Sequence, residues 1–214
     1  MDYALFFGGE KTLLFRRGQG IVFNEPSLVA LTDGKIIACG VEAALIEDTG
    51  NIAKKSVIRN FYINGIYDAT AYLRYAVKKI GTIAECLVAI PSSLSQNALD
   101  DYRTAIFGAG ITDAVFIPAV VANAYAHGYD MSHTEPCLSI VLEGNTADFG
   151  VISRGEVIDG GTLDNIDMFE EAKESLLASH VGINEYHGDR ICAVNGAGDL
   201  LNDEKTVRNI IELN

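Results

Sequence analysis

One arrangement occurs twice in this chain, and it constrains the fold more than any other feature. Residues 4–23, "ALFFGGEKTLLFRRGQGIVF", read as strand, glycine turn, strand, Arg-Gly turn and strand. Residues 137–161, "CLSIVLEGNTADFGVISRGEVIDGG", read the same way. Gly8, Gly9 and Thr12 correspond loosely to Gly144, Asn145 and Thr146, and Arg17-Gly18 corresponds to Arg154-Gly155. Each unit leads into helical sequence, so the repeat predicts two related halves, residues 1–136 and 137–214.

Between the two units the chain alternates strands and helices. "SLVAL" and "KIIACG" flank Thr32-Asp33-Gly34, a hairpin signal that extends the opening into a meander of about five strands. "DATAYLRYAVKKI" carries apolar residues at helical spacing, an Asp68 cap and Lys78-Lys79 near its end. "CLVAIP" and "AVFIP" are short strands. A helix starting at the Ser95 cap lies between them, and the small-residue helix "AVVANAYAHG" follows. This βαβα order predicts an α/β protein whose sheet contains parallel neighbours. In the second half, "DMFEEAKESLLASHVG" sets Met168, Phe169, Ala172, Leu176 and Leu177 on one stripe. "ICAVNGAGDLL" reads as strand, glycine turn and helix start, and "DEKTVRNIIELN" as a closing helix capped at Asp203.

Charge and cysteine usage exclude several functions. A net charge of −13 repels phosphate backbones and argues against nucleic-acid partners. Cys39, Cys86, Cys137 and Cys192 form no C-x-x-C pair and lie in apolar stretches. They predict buried free thiols in a reducing compartment, not a zinc or redox site. "MDYALFF" is too short and acidic for a signal peptide, and no apolar run reaches the length of a membrane span. The expectation is a cytoplasmic protein with no integral span. His127, His133, His180 and His187 are scattered and make no ligand set, and Ser92-Ser93 lacks the glycines of a nucleophile elbow.

Several strings carry a family likeness. "GQGIVFNEPSLVAL" followed by "DGKIIACGVEA", "LRYAVKKI" before "CLVAIPSSLSQNALDDYRTAIFGAG", and "VISRGEVI" after the second hairpin resemble MreB, the bacterial actin. The likeness runs almost continuously from residue 4 to about residue 160, and "AVNGAGDLL" resembles the family's late glycine loop beside the adenosine. It implies an actin-like, ribonuclease H-like fold. Two α/β domains would face each other, each offering a glycine hairpin to ATP phosphates. Each hairpin would be preceded by an aspartate for metal and water, and the first domain would add a glutamate that orients the attacking water. The resemblance thus places a nucleotide cleft at Gly8, Gly9, Thr12, Gly144, Asn145, Thr146, Gly196 and Gly198.

At each chemical position the sequence departs from that pattern. Phe6 and Val141 stand where the aspartates belong, and Ile117-Pro118-Ala119 replaces the glutamate-bearing segment. Glu143 puts a carboxylate where backbone amides would meet a phosphate. The segment between His180 and "ICAVNGAGDLL" is too short for the subdomain the family carries there, so the second domain is trimmed. The expectation is a non-catalytic, MreB-like cytoskeletal or cell-shape scaffold with a vestigial cleft and no catalytic or metal-binding residues. It would have no ATP or magnesium cofactor. Its partners would be proteins, among them other actin-like or cell-shape proteins or a second copy of itself. The alternative is an active actin-like ATPase or nucleotide-binding protein that uses displaced acids, Glu10, Asp148 or Asp159. Two local readings stay open. Gly8-Gly9 is either a phosphate loop or a tight turn needing positive φ, and Asn195-Gly196-Ala197-Gly198 is either an adenosine contact or an ordinary strand-to-helix turn.

Overall fold

A computed structural model describes the chain except for Asp48, Val181, Glu204 and residues 209–214. The elements in chain order are β1 (Tyr3–Phe7), β2 (Lys11–Arg16), β3 (Gly20–Pro26), β4 (Leu28–Thr32), β5 (Lys35–Cys39), α1 (Gly40–Leu45), β6 (Ala53–Ser56), β7 (Ile58–Arg59), β8 (Tyr62–Ile63), α2 (Ile66–Ile80), β9 (Glu85–Ile90), α3 (Gln96–Gly108), β10 (Asp113–Pro118) and α4 (Ala119–Ala126). The second repeat supplies β11 (Cys137–Glu143), β12 (Thr146–Ser153), β13 (Glu156–Leu163), α5 (Phe169–Ser179), β14 (Asn184–Asp189) and α6 (Arg190–Leu200).

Two sheets organise the molecule. One has the order β10-β9-β1-β2-β3, with β1 antiparallel to β2 and parallel to β9. The other has the order β13-β12-β11-β14, with β11 antiparallel to β12 and parallel to β14. The repeated hairpin therefore sits at the same place in both sheets. The expected five-strand meander is divided: β4 and β5 leave the main sheet and pair with β6 in a separate three-stranded sheet.

The period-2 alternation of the central strands sorts side chains into layers. Tyr3, Leu5 and Phe7 of β1 face α2 and α3, where Tyr72, Leu73, Tyr102 and Ile106 complete one core. Ala4 and Phe6 face the opposite way, onto α4 and α6. The far face of the second sheet, including Leu138, Ile140 and Phe149, packs on Phe169 and Leu176 of α5. Helices α4 and α6 thus form a shared middle layer, and Asn123 Nδ2 on α4 reaches the carbonyls of Ile140 and Tyr186 in the second sheet. The fold is actin-like in this arrangement of two hairpin-bearing α/β sheets.

Several local expectations change. Helix α2 begins at Ile66 behind Gly65, so Asp68 does not cap it; its carboxylate pairs with Lys55 at 2.7 Å. Ser95 does cap α3, accepting the Ala98 amide. Met168 is 55% exposed and drops out of the α5 stripe, and Cys192 is only partly buried. Asp203 accepts the Thr206 amide as expected of a cap and residues 205–208 are helical, while residues 209–214 lie outside the described residues.

The largest difference concerns "ICAVNGAGDLL". It is neither a strand nor a glycine turn but the body of α6. The strand lies upstream in the polar segment "NEYHGD". Asp189 caps the helix by accepting the amides of Ile191 and Cys192. Among the described residues, no helix is long and apolar enough to cross a membrane.

Candidate functional site

The two glycine hairpins face each other, and they touch. The turn between β1 and β2 closes through the Gly8 amide on the Lys11 carbonyl. Its next two amides point outward: Gly9 N–H donates to Glu143 Oε2 at 2.9 Å and Glu10 N–H to Glu143 Oε1 at 3.1 Å. The carboxylate of Glu143, at the end of β11, therefore fills the amide cradle of the opposite hairpin. The contact is reciprocal. A Cβ added to Gly8 would lie 2.2 Å from Glu143 Oε1, and one added to Gly144 would lie 2.4 Å from Glu10 Oε1. Arg190, at the start of α6, holds Glu10 at 2.7 Å. Burial pushes the Glu143 carboxyl up, while the amides of Gly9, Glu10 and Lys11 and the charge of Arg190 pull it down; the net direction is upward.

This geometry corrects the turn reading. Gly8 and Gly9 do not have positive φ. At Gly8, glycine is required because a side chain would collide with Glu143 and with the Phe6 ring.

Behind the hairpins the cleft is filled. Phe6 and Val141 are 6% and 2% exposed and belong to the shared middle core. Phe61 enters from the β7–β8 hairpin, where Asn60 and Phe61 both have positive φ, as a two-residue turn demands. Its carbonyl accepts the Tyr102 hydroxyl at 3.1 Å. The space bounded by Phe6, Phe7, Phe61, Tyr102, Val141 and Asp148 is about 10 Å³, at the lower limit for a single water. In front lies an open depression of about 220 Å³, below the ~300–1,000 Å³ usual for ligand pockets.

The remaining predicted residues perform other tasks. Thr12 is fully buried, with its hydroxyl on Ser27 Oγ at 2.9 Å. Thr146 donates to the Glu143 carbonyl at 2.7 Å and stiffens its own turn, and the Asn145 carbonyl accepts the Ile166 amide. Gly196 and Gly198 are not in a loop. They let α6 approach Ala122 of α4 and the Phe15 ring.

The three displaced acids do not converge. Glu10 is held by Arg190, and Asp159 faces His180 at 3.3 Å. Asp148 is buried on β12 and crosses to the first half, accepting the Ser92 amide at 3.1 Å and the Ser92 hydroxyl at 2.5 Å. Burial pushes its carboxyl up to about 7 against those hydrogen bonds. No metal-ligating cluster of three or more acidic, histidine or cysteine side chains is present among the described residues. Sequence reasoning missed Phe61, Ser92 and Arg190.

The comparisons with known proteins follow this geometry. The family model "MreB/Mbl protein" matches residues 1–166. Cell shape-determining protein MreB of Escherichia coli is 27% identical, with 89% of this chain and 60% of the relative aligned. Cell shape-determining protein Mbl of Bacillus cereus is 28% identical over 78% of this chain and 54% of the relative. Among solved structures, MreB5 of Spiroplasma citri bound to ADP is similar with a TM-score of 0.68 and 21% identity, covering 92% of this chain and 60% of that one. The MamK double helical filament gives a TM-score of 0.59 at 15% identity, covering 94% and 65%. The chain thus spans about 60% of the length of MreB. With the repeated hairpins, the actin-like layers and a family match over most of its residues, this chain belongs to the MreB/Mbl protein family.

Proposed function

We propose that this protein is a non-catalytic scaffold or adaptor of the cell-shape cytoskeleton, working on the cytoplasmic side with other actin-like proteins or further copies of itself. Its family membership supports the cytoskeletal part of the reading. One observation carries the non-catalytic part: the two strand positions that would anchor a metal hold Phe6 and Val141, buried in one continuous apolar core. Phosphoryl transfer depends on positioned charge, with metal ions neutralising the phosphate oxygens. Apolar side chains at both positions remove that neutralisation. Nor do Glu10, Asp148 and Asp159 replace it, because each is committed to a different partner. A nucleotide, such as the ADP bound by MreB5, would meet Glu143 and Phe61 between the hairpins.

Phosphate release and calorimetric titration with magnesium and ATP test this reading. The expected result is turnover no higher than a buffer blank and no heat of binding. Turnover above the blank would show that displaced acids perform the chemistry.

A further inference from the structure

Glu143 is an unusual occupant of a tight turn. It is 7% exposed, yet it belongs to a chain with abundant surface for acids. Its two oxygens take two successive backbone amides from a segment more than 130 residues away. Successive outward N–H groups of this kind form a concave anion site. Neither amide has another partner among the described residues, where the carboxylate satisfies both. Gly8 leaves the room the carboxylate needs. Glu10, the residue after the cradle, returns the contact by lying over Gly144 and is fixed there by Arg190.

We propose that Glu143 is a built-in substitute for a phosphate group, latching the two halves shut without any ligand. The proposal rests on the non-catalytic reading and deepens it. A vacant cleft would leave the cradle amides to water. Here one half supplies the anion and the other supplies the cradle, so closure is set by the sequence and not by nucleotide. The latch joins other contacts between the halves, Asp148 with Ser92 and Ser93 with Thr162, but it is the one that occupies the anion site itself.

Amide hydrogen exchange measured by NMR tests the latch. In the wild-type protein, the Gly9 and Glu10 amides are protected and the Gly8 amide serves as an internal control, because it bonds within its own hairpin. Glu143→Ala removes the acceptor, and Gly8→Ala displaces it by steric contact without changing its charge. Glu143→Gln keeps the side-chain volume but turns a carboxamide NH2 group, itself a donor, toward one of the two donors. In Glu143→Ala, Gly9 and Glu10 should exchange at least ~10-fold faster while Gly8 keeps its rate, and in Gly8→Ala the same two amides should exchange faster. In Glu143→Gln, at least one of the two should do so. Glu143→Gln preserves packing and decides the matter if an alanine variant unfolds. Unchanged protection at both amides in Glu143→Gln overturns the latch. Magnesium and ATP added to the wild type separate the two readings. Phosphate release there would sink the non-catalytic assignment, whereas slow exchange at Gly9 and Glu10 in the ligand-free protein would leave the latch standing.

Discussion

Gly196→Ala destabilises the protein strongly, by about 3 kcal/mol in a urea or thermal unfolding experiment. Glycine inside a helix normally costs roughly 1 kcal/mol relative to alanine, so propensity alone predicts a gain. Packing reverses the sign. A Cβ at Gly196 would lie 1.9 Å from the carbonyl oxygen of Ala122 and 2.7 Å from its carbon. Both are backbone atoms of α4 and cannot rotate away. Helix α6 would have to move off α4, opening the middle core that both sheets share. Gly198→Ala makes an informative comparison. Its Cβ would meet the Phe15 ring, a partly exposed side chain that can swing aside, so its cost should be smaller. Equal stability of Gly196→Ala and the wild type would show that the two helices are not packed this closely.

The second large effect is a dependence of stability on pH that runs opposite to ordinary acid denaturation. Asp148 ionises near 3.8 in an unfolded chain but is pushed up to about 7 by burial in the folded one. Between those values the folded state binds the extra proton. The stabilisation is therefore complete below pH ~4 and is lost as pH rises through about 7. At 1.36 kcal/mol per unit the change is on the order of 2–4 kcal/mol. Glu143 is shifted in the same direction and adds to the slope. Glu25, Glu185 and Asp203 are shifted downward by their hydrogen bonds and ion pairs, so they act below pH ~4.5, where their stabilisation is lost on acidification. Urea titrations at several pH values should show stability falling from pH 5 to 7.5. Asp148→Asn cannot ionise, so it should flatten that profile and be the more stable form at pH 8. An unchanged slope in Asp148→Asn would place the titration elsewhere.

The first half was legible because its local signals agree with its tertiary roles. Asp33-Gly34 turns β4 into β5, Ser95 caps α3, and "CLVAIP" and "AVFIP" are apolar enough to form parallel neighbours, the first of them buried. The second half was harder to read for physical reasons. Strand β14, "NEYHGD", has no apolar run. It forms because β11 offers it a parallel partner, from Cys137 opposite Asn184 to Leu142 opposite Asp189. Its polar side chains suit the edge position it occupies. Helix α6 was disguised by Gly196 and Gly198. Glycines weaken a helix in isolation but here permit contact with α4 and Phe15.

At the site, Phe6, Val141 and Glu143 could be read directly as departures from the residues the resemblance implies at those positions. The partner of Glu143 could not, because the Gly9 and Glu10 amides reach it only once the two halves have docked. Phe61 gave no signal either, since a bulky residue is rarely placed at positive φ.

The most direct measurement is a crystal structure of the protein grown with magnesium and a non-hydrolysable ATP analogue. The account predicts Glu143 still on the Gly9 and Glu10 amides, Phe61 still beside Tyr102, and no density for a triphosphate between the hairpins. A triphosphate and its metal seated there, with Glu143 swung out, would contradict it.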